Sequence, residues 1–347
     1  LDKFRMVKLL QEQQHVVAVT GDGTNDAPAL KKADVGLAMG IAGTEVAKEA
    51  SKIVLLDDSF ATIVNAVHWG RSLYENIQRF IQFQLTINVS ALAIYLLGTL
   101  LFQVEAPFTV LQLLWINVIM DTFASIALCS EPPRPGIMDL PPKKRNESIV
   151  TRSMVMTIFT TAAFFVVVML GLLLVMKGTP QLPGWLGDHD GPWAVEVGGS
   201  RLAADWSDLE KDRAWNEDWY IRDNPANPLL KDVAGRKVEI AFTVLQVSIF
   251  FSVYVFFQVW NQINCRSLTP EVSGLYRLLR NPIFIAIALT VAIGQILIVT
   301  FGGPIFKVQP LTLRMWLAIA AGTSSVMIVA EIVRRLRLLI RKRRPGR

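Results

Sequence analysis

Six long apolar runs decide most of what this 347-residue chain can fold into. They lie at about Leu85–Phe102, Phe108–Leu128, Met154–Met176, Ile240–Trp260, Ile283–Phe301 and Leu313–Val333. Each is near the ~20 apolar residues a helix needs to cross a bilayer, where no water remains to satisfy free backbone N–H and C=O groups. The sequence therefore predicts an all-α six-helix transmembrane domain, residues 85–176 and 240–333, with the lipid bilayer as its first partner. The 52% hydrophobic content is concentrated there, because the first 80 residues have the mixed composition of a soluble α/β domain.

Loop charges set the orientation. Lys143, Lys144, Arg145 and Arg152 lie between the second and third runs, and Arg266, Arg277 and Arg280 between the fourth and fifth. The tail, 334–347, is strongly basic. By the positive-inside rule these segments and the head are cytoplasmic. The net charge of +6 thus reads as membrane topology and not as a nucleic-acid patch. The tail reads as an anchor for anionic headgroups, not as a calmodulin site. Cys129 and Cys265 sit near predicted cytoplasmic span ends, which argues against a disulfide framework. No signal peptide opens the chain. Leu1 is not Met, and it stands at the edge of a helical pattern over Phe4–Gln13, so an N-terminal portion of the same polypeptide is expected to be missing. Residues 177–239 form an insert on the opposite side, with more acids than bases and with Trp185, Trp193, Trp206, Trp215 and Trp219. Either a small extracytoplasmic lobe or a loop without order fits that composition.

The head alternates short apolar runs with helical patterns. Strands are predicted at Val16–Val19, Val35–Met39 and Ile53–Leu56, and helices at Ala27–Lys32 and Glu45–Ser51. Such alternation indicates a parallel, doubly wound sheet that binds ligands at the carboxyl ends of its strands. At that place after the first strand stands GDGTNDAP, with Gly21, Asp22, Gly23, Thr24, Asn25 and Asp26 in the turn and Pro28 in the first turn of the next helix. Two carboxylates, Asp22 and Asp26, at the end of a buried strand suit a Mg²⁺ site for phosphate chemistry; an ordinary polar turn is the plain alternative. Residues 1–59 form this head, and Phe60–Gln84 reads as a stalk, 60–84, leading to the spans.

Ionisable and amide side chains in mid-span are costly and are candidates for function. Asn88 lies in the first run, Asn117 and Asp121 four apart in the second, and Gln258 and Asn261 at the end of the fourth. All offer oxygen ligands to a hard cation such as Ca²⁺. Asp121 is the only acid buried in the interior of these spans and is the leading candidate. Asn88 could equally serve an interhelical hydrogen bond, as could Gln258 and Asn261.

The string GDGTNDAP, followed by KKADVGLAMG and GTEVAKEAS, closely resembles the hinge end of the phosphorylation domain of P-type cation-transporting ATPases. That resemblance implies a partial α/β haloacid dehalogenase-like (Rossmann-like) phosphorylation domain. It gives Asp22 the role of Mg²⁺ ligand, and gives Asn25 and Asp26 the ordering of the phosphoryl site and the metal's water shell. It makes Lys3 the lysine that neutralises a phosphorylated aspartate, although a solvated helix lysine is the simpler reading. RFIQFQLTINVSA and LLWINVIMDTFASIALCSEPP resemble the fifth and sixth transmembrane helices of calcium pumps, with Asn88, Asn117 and Asp121 at ligand positions. The spans therefore number five to ten in that family. Ala91, Gln258 and Met120 stand where two-site pumps carry ligands, two of them glutamates. Together with FFQVWNQIN and IVTFGG, this resembles the plasma-membrane-type pump, which carries one Ca²⁺ per cycle. The implied function is an ATP-driven export of Ca²⁺ from the cytoplasm, in a bacterial inner membrane or a eukaryotic cell membrane. No DKTGT string is present, and the nucleotide domain of the family has no counterpart here. The chain alone is therefore expected to be inactive towards ATP. A pump for Na⁺, K⁺ or H⁺ and a non-catalytic membrane module with a degenerate phosphatase-like head are the competing readings.

Overall fold

The computed structural model describes residues 2–102, 108–143, 146–178, 193–197, 200–204, 238–239 and 244–342. It divides into two units: Leu1–Gln78 with Glu131–Thr151, and Arg79–Ser130 with Arg152–Arg347.

In the first unit, helix α1 (Asp2–Glu12) precedes β1 (Ala18–Gly21), a 3₁₀ turn at Thr24–Asp26, α2 (Ala27–Lys32), β2 (Val35–Met39), α3 (Glu45–Ala50) and β3 (Ile53–Leu55). The three strands are parallel, in the order β1-β2-β3, with Gly21 opposite Ala38 and Ala38 opposite Val54. The sheet is small, so the doubly wound architecture is present only in part. β1 begins two residues later than its β-branched run suggests. Val16 is exposed, and the Val17 N–H is taken by the Asp34 carboxylate (3.0 Å) instead of a strand partner. Leu30, Ala38 and Ala47, all fully buried, pin α2 and α3 to β2.

The expected stalk and first span are one uninterrupted helix, α4 (Phe60–Phe102). Its mixed polarity before Gln84 has a local cause: polar residues there bind the segment that follows residue 130. Asn76 donates to the Glu131 carbonyl (2.9 Å), Gln78 to the Ile149 carbonyl (2.7 Å) and Arg71 to those of Ile137 and Leu140. A partly buried ion pair joins Arg134 to Glu75 (2.9 Å).

The second unit holds the remaining helices: α5 (Val110–Val118), a π-helical turn at Ile119–Ala124, α6 (Ser125–Cys129), α7 (Arg152–Gly178), α8 (Val244–Cys265), α9 (Pro282–Phe301), α10 (Gly303–Phe306), α11 (Leu313–Thr323) and α12 (Ser325–Lys342). Among the described residues six helical stretches are long and apolar enough to cross a membrane, as the sequence predicts, although the last is broken at Ser324. α8 is the hub. Its most apolar stretch is 78% buried, whereas the other five reach at most 33%. Phe250, Phe251, Tyr254, Val255 and Phe257 fill the core, and the rings of Phe108, Phe165 and Tyr254 pack around them. Buried polar contacts fix the packing where lipid gives no hydrophobic drive between helices. Trp115 donates to Gln295 (3.0 Å), Gln112 to the Phe306 carbonyl (2.9 Å) and Tyr254 to the Ile87 carbonyl (3.0 Å). Of the insert, three short antiparallel strands are described: β4 (Trp193–Val197), β5 (Ser200–Ala204) and β6 (Val238–Glu239), in the order β5-β4-β6. Trp185, Trp206, Trp215 and Trp219 lie outside the described residues.

Candidate functional site

The first candidate site is the turn at the carboxyl end of β1. Gly21 allows the chain to double back closely: a Cβ there would stand 2.5 Å from the Asp26 Cβ and 2.7 Å from its Oδ2. Asp26 turns inward and is buried. Its Oδ1 accepts from Lys3 Nζ at 2.6 Å, and its Oδ2 accepts from the Asp22 N–H at 3.3 Å. Asp22 and Asn25 remain exposed at the rim. The loop is braced from outside, because the Thr44 N–H donates to the Asp22 carbonyl (2.8 Å). Asp58 completes the rim. Its carboxylate accepts from the N–H groups of Gly40 (2.6 Å), Ile41 and Ala42 (2.7 Å), a clamp that the sequence alone did not reveal.

Charge follows from these contacts. The hydrogen bond from Lys3 holds the Asp26 carboxyl below its usual range, and the same bond raises Lys3. Asp26, depressed, contributes stability that is present above its ordinary value of 3.8 and is lost as pH falls through its folded value. Lys3, raised, contributes stability present below 10.5 and lost only as pH rises through a value above that. Between those limits the pair is fully formed. Lys3→Met is accordingly expected to speed hydrogen exchange of the α1 amides severalfold at pH 7, with the difference from wild type vanishing in acid below 3.8. An equal difference in strong acid would show that Lys3 acts by packing and not through the Asp26 carboxylate.

The residues suit Mg²⁺. This ion keeps most of its waters and takes one or two carboxylates alongside substrate phosphate oxygens. Among the described residues no group of three or more His, Cys, Asp or Glu gathers into an all-protein cage. What the loop offers is one exposed carboxylate, Asp22, with Asn25 beside it, while Asp26 is committed to Lys3 and to the loop backbone.

The second candidate site lies in the membrane unit. Asn88 is on an exposed side of α4, and Asn117, the last residue but one of α5, is exposed as well. Asp121 falls in the π-helical turn, and its side chain lies outside the described residues. The four-residue spacing of Asn117 and Asp121 therefore crosses a change of helical pitch that a period of 3.6 could not anticipate. Gln258 is different. It is 1% exposed, it lies against the Tyr254 hydroxyl, and its amide makes no hydrogen bond of good geometry among the described residues. Asn261 Nδ2 and Gln262 Nε2 are likewise buried without partners among the described residues, and the Gln82 amide, beside the Cys265 thiol, makes no hydrogen bond of good geometry there. Buried amides of this kind call for an ion, a water or a moving element to satisfy them.

Two family models match the chain. "Cation transporting ATPase, C-terminus" covers residues 105–336, and "haloacid dehalogenase-like hydrolase" covers residues 5–67. The chain is 37% identical over 321 residues to plasma membrane calcium-transporting ATPase 2 of Oreochromis mossambicus, covering 91% of this chain and 24% of that protein. It is 38% identical over 322 residues to plasma membrane calcium-transporting ATPase 4 of Homo sapiens, covering 91% and 22%. To calcium-transporting ATPase 10, plasma membrane-type, of Arabidopsis thaliana it is 37% identical over 336 residues, covering 96% and 26%. The chain spans about a quarter of the length of the curated relatives it matches. With six apolar helices and these relatives, it is an integral, multi-pass membrane protein.

Proposed function

The chain belongs to the cation-transporting ATPase C-terminus family, and from that premise we propose that it forms the hinge and ion-conducting portion of an ATP-driven calcium pump of the plasma membrane, moving one Ca²⁺ per cycle out of the cytoplasm. One observation carries the reading. The 37% identity to calcium-transporting ATPase 10, plasma membrane-type, extends over 96% of the chain, a share that takes in both the soluble head and the membrane helices.

The haloacid dehalogenase-like, Rossmann-like head is read as a partial phosphorylation domain. Mg²⁺, bound at Asp22, would offset negative charge on a transferring phosphoryl group. Asp22 and Asn25 offer their side-chain oxygens at the rim of the loop. Asp26, tethered to Lys3, fixes the loop's shape and keeps a cation next to it. This chain holds no DKTGT string, so the phosphorylated aspartate and the ATP-binding domain of such a cycle would lie outside these 347 residues. In the membrane, Asp121 supplies the charge for a divalent cation, and Asn88 and Asn117 supply amide oxygens. Their exposure supports this role. Amides facing lipid are costly, and other helices of a longer polypeptide would cover them. Gln258, where a second acid would be needed for a second ion, offers only a neutral oxygen. Phosphorylation state reaches Asn88 along α4, a single hydrogen-bonded helix from Phe60 onward.

The test is ATP-dependent uptake by inside-out vesicles carrying the full-length protein, assayed in parallel with radioactive calcium, sodium and rubidium and with a proton-sensing dye. Calcium accumulation is expected. Accumulation of a monovalent cation without calcium would move the chain to another branch of the family, and no accumulation at all would favour a non-catalytic module.

A further inference from the structure

Away from both candidate sites, α7, the loop after α8 and α12 enclose an open-sided cavity of about 90 Å³. Ser153, Thr157 and Thr161 line it from α7, and Glu331, Arg334 and Arg337 from α12. The two arginines differ. Arg334 is neutralised by an ion pair with Glu331 and also donates to the Pro270 carbonyl (2.8 Å). Arg335, exposed and not part of the lining, shares the same carboxylate. Arg337 has no carboxylate partner among the described residues. Its Nη1 donates to Thr157 Oγ1 (2.7 Å) and to the Ser153 carbonyl (3.4 Å), while Nε and Nη2 are buried with no acceptor among the described residues.

A guanidinium with two buried, unmatched donors is costly unless an anion meets it. Its planar fork matches the oxygens of a phosphate, and the neighbouring hydroxyls can add donors. The surroundings indicate where that phosphate comes from. Directly before the arginines, α12 exposes Ile328 and Ile332, and Leu336 follows between them; α7 exposes Met156 and Phe159 nearby in sequence to Ser153 and Thr157. Apolar side chains of this kind suit acyl chains. The basic run beginning at Arg334 marks the cytoplasmic edge, where anionic lipids are enriched. We propose that this cavity holds the headgroup phosphate of a single anionic phospholipid of the cytoplasmic leaflet, clamped by Arg337. The site is a built pocket, distinct from the diffuse attraction of the basic tail, and it does not depend on which cation the protein moves.

Native mass spectrometry of the full chain in detergent, titrated with phosphatidylglycerol or phosphatidylcholine, tests the assignment. Wild type is expected to retain one phosphatidylglycerol in preference to phosphatidylcholine. Arg337→Gln is expected to weaken that binding roughly tenfold to a hundredfold, the range for a lost hydrogen bond to a charged group. Arg337→Lys should recover part of it, because the charge remains and the fork does not. Arg335→Gln, outside the cavity, should leave it intact. Thr157→Val, which keeps every charge and only frees the guanidinium to swing, should weaken it severalfold and provides a second reading should the arginine variant misfold. Three results would overturn the proposal: unchanged retention in Arg337→Gln and Thr157→Val, equal losses in Arg335→Gln and Arg337→Gln, or displacement of the lipid by an equal concentration of inorganic phosphate, which would make the cavity a free-anion site.

Discussion

Asp121→Asn is expected to abolish ATP-driven calcium uptake by the full-length protein at micromolar calcium, and to do so without loss of expression or membrane insertion. The exchange conserves size and hydrogen-bonding capacity and removes one charge. Within the six apolar runs the other acid, Glu331, stands at the basic end of the last and is paired with Arg334 and Arg335, so it is not free to replace Asp121. A divalent ion stripped of its waters needs that charge, because amide oxygens such as those of Asn88 and Asn117 supply only dipoles. Changes in outer-shell partners alone cost about 10- to 100-fold in metal affinity; losing the charged ligand itself is expected to exceed that range. The backbone adds to the argument. Asp121 lies in the π-helical turn Ile119–Ala124, and single π turns inside an α-helix are frequent at functional sites, where the wider turn frees backbone carbonyls from the regular ladder. Asn117→Ala should cost less, and Gln258→Ala least. The measurements are radiocalcium uptake and the calcium concentration giving half-maximal phosphoenzyme. Wild-type calcium dependence in Asp121→Asn would sink the membrane site as drawn.

Much of the fold was legible because it depends on local signals. Hydropathy found all six spans, and the alternation of short apolar runs with helical patterns found β2 within its observed bounds. The rest depends on partners distant in the chain. Ser72, Asn76 and Gln78 look like a solvated stalk face until the segment from Glu131 to Ile149 buries them. Gln112, Gln295 and Tyr254 are buried by contacts that span 160 residues or more, which no periodicity encodes. The π turn leaves no trace in a residue pattern, since the same side chains fit an α-helix. Asp58 holds three backbone N–H groups of the loop between β2 and α3, a role for which the residue pattern carries no signal. The candidate site was legible in a different way. Loop composition after a strand identified Asp22 and Asp26 as a pair, but only the resemblance picked out Lys3, which lies 23 residues before the carboxylate it meets. The two carboxylates also differ in a manner the sequence could not assign, one facing outward and the other committed to the interior.

That difference between the carboxylates is the basis for the second large effect. Gly21→Ala is expected to reduce phosphoenzyme formation by the full-length protein by about a hundredfold or more, the scale on which a misplacement of about 1 Å is felt in catalysis. The added methyl group would lie 2.5 Å from the Asp26 Cβ, 2.7 Å from Oδ2 and 2.9 Å from Cγ. These are distances that carbon and oxygen atoms do not sustain, and the obstacle is the root of a short side chain and not the far end of a flexible one. Asp26 must therefore shift. Its shift breaks the 2.6 Å contact with Lys3 and the bond from the Asp22 N–H, so the cation and the rim carboxylate lose their common support at once. Because Gly21 pairs with Ala38 through its backbone, the strand itself can persist. The expected signature is thus loss of phosphorylation with little change in membrane insertion or in the melting of the helical unit. Gly23→Ala provides the contrast, since the nearest atom to a Cβ there is 3.9 Å away; it should retain most of the activity. Equal losses in the two variants would mean that the loop needs glycine for mobility, and that the close approach of Asp26 to Gly21 is not what sets the site.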